Sequence, residues 1–326
     1  MRQKTLAYIV VICCLLTLGG GCRGARGSLS SDPSRSTDAD QGVSTPSAQR
    51  PLTSPAQPGR RALLIGISTY QYVPQLPGAR NDIALVRRVL QSHYGFAPEN
   101  IRVLLDDAAT RTAILAALRQ LVDEAQPDDM IYLHYSGHGS QVTDLSGDET
   151  DDQRDETLVP VDGRGPGVRD ITDDELQMIL AEFKTQRVVV VLDACHAGTA
   201  TRSLAVRTRA VHPDTRVELY RKTMTRSLSI VPLISERHVL LTGAAAHEEA
   251  LEGLIDGKNY GLFTYALMQT LEAGGAQHSL RQLFLEVKQE LQRLQSQIRG
   301  HAIPEPQLEA PADRLEQPLF PLGGAR

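Results

Sequence analysis

The stretch that most constrains this chain is Arg187-Val-Val-Val-Val-Leu-Asp-Ala-Cys-His-Ala-Gly-Thr199, where four valines and a leucine run into an acid, a cysteine and a glycine. A continuous β-branched run of this kind predicts a strand buried on both faces, inside a parallel sheet. Ligands of open α/β sheets bind outside the carboxyl ends of the strands, so Cys195 is expected at a functional edge on a rigid stem. A second run, Met130-Ile-Tyr-Leu-His-Tyr-Ser136, stops in the same way and presents Ser136-Gly-His138-Gly-Ser140. Parallel neighbours would hold Cys195 and His138 side by side.

Thiol catalysis needs that pairing. A free cysteine has a pKa of about 8.5 and is mostly protonated at neutral pH, so a neighbouring imidazole that takes its proton raises its reactivity. Gly137 and Gly139 leave room for a substrate, and the backbone N–H groups of Gly139 and Cys195 would together form an oxyanion hole. Residues two apart on a strand share a face, so Asp193 can line the same cleft as Cys195 and offer a carboxylate to a cationic side chain. The bland alternative is that Asp193 only caps a neighbouring loop. A phosphatase cradle fails on spacing, since Arg202 lies one residue too far from Cys195 for Cys-x5-Arg. His134 lies four residues before His138, but strand geometry and the missing glutamate argue against a helical zinc pair, and His196 is expected to be structural.

The rest of the chain alternates strand and helix, which predicts a mostly parallel sheet covered on both faces, an α/β three-layer sandwich. Strands are expected at Arg61–Ser68, Ile101–Leu105 and Arg237–Gly243. Helices are expected from Gly78 with Asn81 or Asp82 as cap, from Thr110 to Ala125, from Glu175 to Phe183, from Gly261 to Leu271 and from Leu280 to Ile298. Tyr70 to Pro77 and His247 to Glu252 read as loops, and Leu319-Phe320 as a short edge strand. Residues 144–156 hold seven acids, either a solvated loop or a cation site, since calcium favours several oxygen ligands. Asp173 and Asp174 would cap the helix behind them or add ligands. Residues 199–229 are rich in cations, among them Arg202, Arg207, Arg209, Arg216 and Arg221. That segment is an ordinary exposed loop, or a candidate for self-processing if the enzyme cuts after basic residues.

Tyr135-Ser-Gly-His-Gly-Ser-Gln141 followed by Asp193-Ala-Cys-His-Ala-Gly-Thr199 resembles the caspase-like cysteine peptidases, most closely metacaspases and their bacterial relatives, over about residues 60 to 273. The resemblance implies a caspase-like αβα sandwich and a cysteine endopeptidase with Cys195 as nucleophile and His138 as acid–base. It also implies that Asp82 and Ser136 join Asp193 in a pocket for arginine or lysine. The large-subunit part would span about 60–200, a basic linker 201–229, and the small-subunit part about 230–326. Calcium-dependent relatives use acids that match Asp155, Asp173 and Asp174; a further ligand position falls near Arg202, which cannot hold a cation, so no cofactor is required and calcium stays an open question. The family's cysteine three places before the pocket acid is Ala79 here. The alternative is a non-hydrolytic caspase-like domain that binds partners.

Residues 1–22 carry Arg2 and Lys4, an apolar stretch from Leu6 to Leu18 and Gly19-Gly-Gly-Cys22, which reads as a secretory signal. Cys22 looks like the lipidation site of a bacterial lipoprotein, although Leu18 sits one place early; plain secretion and an uncleaved anchor are the alternatives. Cys13 and Cys14 would leave with the signal, so Cys195 is then the lone thiol of the domain and chemistry is its best reason for being there. Residues 23–59 are Ser, Thr, Pro, Gly, Gln and Asp with few large apolar side chains, a disordered tether. The expected setting is export, with membrane attachment through the amino terminus or a periplasmic or extracellular location. Peptides with a basic residue before the scissile bond are the expected substrates. Net charge −5 gives no pointer to nucleic acid, and none is expected as a partner.

Overall fold

A computed structural model of the chain describes residues 59–144, 154–195, 206–221, 234–245, 248–296 and 302–320. In order, the elements are β1 (Arg60–Gly66), α1 (Ala79–His93), β2 (Ile101–Leu105), α2 (Arg111–Glu124), β3 (Met130–Ser136), β4 (Gly139–Thr143), β5 (Arg154–Leu158), β6 (Ile171–Thr172), α3 (Asp173–Leu180), β7 (Val188–Asp193) and β8 (Val206–Thr208). There follow α4 (Ile234–Arg237), β9 (Val239–Thr242), β10 (Leu251–Ile255), β11 (Lys258–Gly261), α5 (Leu262–Glu272), α6 (Leu280–Gln295) and β12 (Gln307–Glu309).

Six strands form the central sheet in the order β12-β9-β7-β3-β1-β2. All its pairings are parallel except β12 against β9. The period-two alternation of a strand divides the valine run between the two faces. Val189 and Val191 join Ala62, Leu64 and Tyr132 under α1, α5 and α6. Val188, Val190 and Leu192 join Leu63, Ile65, Ile131 and Leu133 under α2 and α3. Both faces are dry, which is why β7 carries no polar residue until Asp193. The result is the three-layer α/β sandwich that the alternating pattern predicts.

Two small sheets, β4-β5-β6 and β11-β10-β8, supplement the main one. The second corrects the sequence reading of His247 to Glu252 as a loop, because Leu251 and Glu252 begin a strand. Asn81 and Asp82 do not cap α1: Gly78 stands at the cap, Asn81 Nδ2 donates to the Asn259 carbonyl, and Asp82 is buried in the first turn. Nor do Asp173 and Asp174 cap α3, whose cap is Thr172, its hydroxyl accepting from Glu175 N. Leu319 and Phe320 are not an edge strand; they are buried core residues beneath Tyr94 and Tyr132. The sheet edge belongs to Gln307–Glu309 instead. Among the described residues no helix is long and apolar enough to cross a membrane. Residues 1–58, which hold the expected signal and nearly all of the expected tether, most of the acidic 144–156 loop, His196, Arg202 and His247 lie outside the described residues.

Candidate active site

β3 and β7 run parallel in register, and their last pair is Ser136 with Asp193. His138 and Cys195 each lie two residues beyond that pair, so the sheet delivers both to one edge. The tips touch: a Cβ at residue 139 would lie 2.1 Å from the Cys195 carbonyl oxygen, which only glycine avoids. The backbone of His138 is clamped by two buried phenols. Its N–H donates to the Tyr70 hydroxyl at 2.7 Å, and the Tyr135 hydroxyl donates to its carbonyl at 2.8 Å.

Nε2 of His138 lies 2.9 Å from the Pro74 carbonyl. A carbonyl only accepts, so this nitrogen carries the proton and Nδ1 keeps its lone pair. Nδ1 is buried with no hydrogen-bond partner. Burial lowers the imidazole pKa to about 4, against opposing pulls from the Pro74 and Arg209 carbonyls. The Cys195 thiol donates to the Ala250 carbonyl at 3.0 Å, and its burial pushes its pKa well above the ordinary value. Thiol and imidazole are therefore both neutral in this state.

Residues 206–214 run past the two tips as β8, a bend at Arg209, and isolated bridges of Ala210 with Gly139 and of Asp214 with Val142. β8 pairs antiparallel with β10, Thr208 opposite Leu251 and Arg207 opposite Glu252. Arg209 N donates to the Ala250 carbonyl at 3.0 Å, and on the far side Val211 N donates to the Gly139 carbonyl at 3.0 Å and Asp214 N to the Gln141 carbonyl at 2.8 Å. Between these anchors the Arg209 carbonyl oxygen receives the N–H of Gly139 at 2.9 Å and that of Cys195 at 3.4 Å. Those are the two donors that sequence reasoning assigned to an oxyanion hole.

The Arg209 side chain is fully buried in a pocket of acids. Nη2 lies 2.5 Å from Asp82 Oδ2 and 3.8 Å from Glu252 Oε2; Nη1 lies 3.2 Å from Asp193 Oδ2 and donates to Ser136 Oγ at 2.8 Å and to the Asp193 carbonyl at 2.9 Å. Asp193 Oδ2 also accepts from Thr264 N at 3.0 Å and from its hydroxyl at 2.6 Å. That hydroxyl meets Nε2 of buried His134, whose role is to brace the pocket wall. Gly261 N donates to Asp82 Oδ1 at 2.9 Å, and a Cβ there would stand 2.6 Å from the Arg209 Cζ. Burial raises the Asp82 pKa to about 7; Arg209 opposes the shift and Asp193 adds to it. Burial alone would lower the guanidinium's pKa, yet Asp193, Asp82 and Glu252 together raise it, so it stays charged.

Asp82 and Ser136, which only the family resemblance implied, lie with Asp193 around Arg209, so Asp193 does more than bond to a neighbouring loop. Arg209 belongs to the segment read as an exposed loop or a self-processing site, and it is not exposed. Glu252, Tyr70 and Tyr135 are site residues that sequence reasoning missed. A signal for Glu252 existed: Asp256-Gly257 is a two-residue hairpin turn with positive φ at both positions, 50° and 78°, which would have marked β10 and β11. Asp155 lies buried on β5 and Asp173 and Asp174 in the first turn of α3. Among the described residues no three His, Cys, Asp or Glu side chains are gathered to hold a metal ion.

Residues 59–315 match the family described as caspase domain, Peptidase C14. The chain is 42% identical over 149 residues to Metacaspase-1A of Aspergillus niger, covering 43% of this chain and 36% of that protein. It is 40% identical over 167 residues to Metacaspase-1B of Aspergillus fumigatus, covering 49% and 40% of the two. The aligned segment thus spans well under half of these relatives. The solved structure of protein GSU0716 from Geobacter sulfurreducens superposes with a TM-score of 0.61 at 24% identity, covering 82% of this chain and 100% of that one, which speaks for the fold.

Proposed function

The chain belongs to the caspase-domain family, and from that premise we propose that it is a cysteine endopeptidase that cuts after a basic residue, arginine or lysine, with Cys195 as nucleophile and His138 as acid–base. The observation that carries this reading is Arg209, whose cation sits among Asp82, Asp193 and Glu252 while its carbonyl oxygen faces the Gly139 and Cys195 N–H groups. That is how a substrate's basic residue would bind just before its scissile bond. The reading includes self-processing at Arg209–Ala210.

In the reaction, Sγ turns from the Ala250 carbonyl and passes its proton to His138 Nδ1 as it bonds to the carbonyl carbon. The two backbone N–H groups hold the oxyanion. Collapse breaks the bond to the Ala210 nitrogen, which takes the proton from Nδ1 and leaves as an amine. Water, deprotonated by the same imidazole, then hydrolyses the thioester and frees the Arg209 carboxylate and the thiol. No metal is required in this scheme; whether calcium accelerates it is an arm of the test. Export on the 1–22 signal, with Cys22 as lipid anchor and 23–59 as tether, belongs to the same proposal.

The test is hydrolysis of a fluorogenic arginine peptide by the full chain, with Cys195→Ala as control, in calcium and in chelator. Because Arg209 fills the pocket, turnover should follow a lag during which the chain is cut, and both should be absent from Cys195→Ala. No thiol-dependent hydrolysis in either condition would overturn the proposal. The thiol's bond to Ala250, rather than to His138, favours a second reading, a non-hydrolytic caspase-like domain that binds partners; that reading wins if neither cutting nor turnover occurs.

A further inference from the structure

We propose that β4 and Arg164 form a binding site for the part of a peptide substrate that follows the cut, a stretch whose second residue is apolar; the inference rests on the peptidase reading above and deepens its substrate class. With Arg209 placed before the scissile bond, Ala210 to Asp214 show what lies after it. β4 is the edge strand of its small sheet, and an unpaired strand edge is a ready template for another chain. Ala210 bridges Gly139 and Asp214 bridges Val142, both in the parallel sense, so the stretch follows that edge.

The grip is on the backbone. The Gly139 carbonyl accepts from Val211 N at 3.0 Å and the Gln141 carbonyl from Asp214 N at 2.8 Å. Ser140 Oγ, fully buried, lies 3.1 Å from the Val211 carbonyl oxygen and 2.9 Å from that of His212. Arg164 Nη1 donates to the same His212 carbonyl at 2.8 Å, while Nη2 donates to Ser140 Oγ at 2.6 Å. Asp170, wholly buried, steadies the guanidinium, its Oδ2 accepting from Nη2 at 2.7 Å and from Nε at 3.1 Å. Arg164 has a φ of 69°, a left-handed conformation unfavourable to any side chain, and such strain collects at functional sites.

Side chains are read unevenly. Val211 is buried as part of the hydrophobic core, so an apolar second residue fits and a charged one does not. His212 is exposed, and a cavity of about 390 Å³ beside it, lined by Tyr72, Pro74 and Arg164, leaves the third residue free to vary. Self-cutting gives the stretch a free end at Ala210, so an incoming peptide can take its place along β4.

The test uses the self-processed full chain and amide-capped peptides that share their residues up to the scissile arginine. Lengthening the peptide from one residue after the cut to three should raise kcat/KM roughly tenfold or more, because the two carbonyls held by Ser140 and Arg164 are then present. N-methylation of the second residue's nitrogen, or aspartate in place of an apolar residue there, should remove most of that gain. Arg164→Gln should shrink it severalfold. Because the gain compares two peptides on one protein, a general folding defect leaves it unmoved, and the N-methyl peptide needs no variant at all. Equal hydrolysis of short and long peptides, the result expected if residues 210–214 stay on β4 after the cut, overturns the inference and leaves the peptidase reading standing. So does a gain that survives N-methylation, or one as large in Arg164→Gln as in the parent. If no arginine peptide is hydrolysed, the peptidase reading falls and this inference with it.

Discussion

Arg209→Ala, made in the Cys195→Ala background so that no cutting intervenes, is expected to destabilise the chain by about 3–5 kcal/mol, the usual cost of stripping a buried charge cluster of its partner. Asp82, Asp193 and Glu252 are all buried, and Arg209 is the cation the structure seats among them. The loss should depend on pH. Asp82 has its pKa raised to about 7 in the folded chain, against about 3.9 when unfolded. Between those values the folded state holds a proton that the unfolded state releases, so stability falls as pH rises through the window. Removing the guanidinium deletes the charge that opposes this shift, so the deficit should be smaller at about pH 5.5 than at about pH 8. Chemical unfolding at the two pH values measures both. An Arg209→Ala chain as stable as its parent would mean that the cation does not occupy the pocket.

His138→Ala should slow self-cleavage toward the upper end of what general acid–base catalysis supplies, roughly 10⁴-fold. The reason lies in the protonation state: burial holds the Cys195 thiol protonated, so a base must take its proton during attack. The wild-type rate should report that base. With the His138 pKa lowered to about 4 by burial, the imidazole stays a base well into acid. Self-cleavage should hold between about pH 5 and 8 and fall only as pH drops through about 4, whereas an unshifted histidine would already fail near about 6.5. Rates are to be read where circular dichroism shows the chain still folded. A His138→Ala chain that cuts itself at the wild-type rate would remove His138 from the chemistry.

The main sheet and its two functional tips were readable because their signals are local and redundant. Val188–Leu192 and Met130–Tyr135 are too apolar to be anything but buried strands, and each ends on small and reactive residues where a parallel sheet opens. Asp193 followed from strand geometry; Asp82 and Ser136 needed a family resemblance, because nothing in an Asn-Asp pair on a helix announces that it faces a strand tip. Arg209 hid among other cations: what singles it out is contact with Glu252, Ser136 and Asp82, 43 to 127 positions away, which no local pattern encodes. Tyr70 likewise clamps His138 from 68 positions off, out of a segment that reads as a plain loop. The hairpin carrying Glu252 shows its Asp-Gly turn in plain view, but the preceding Glu-Glu-Ala has the composition of a polar loop.

The central claim is that residues 206–214 lie in the cleft as a substrate, with the bond after Arg209 presented to Cys195. Amino-terminal sequencing and intact mass of the purified full chain test it most directly. One fragment should end at Arg209 and the other begin at Ala210, and neither should form in Cys195→Ala. A cysteine-dependent cut at a different bond, or a chain that stays whole while it hydrolyses arginine peptides, would contradict the account.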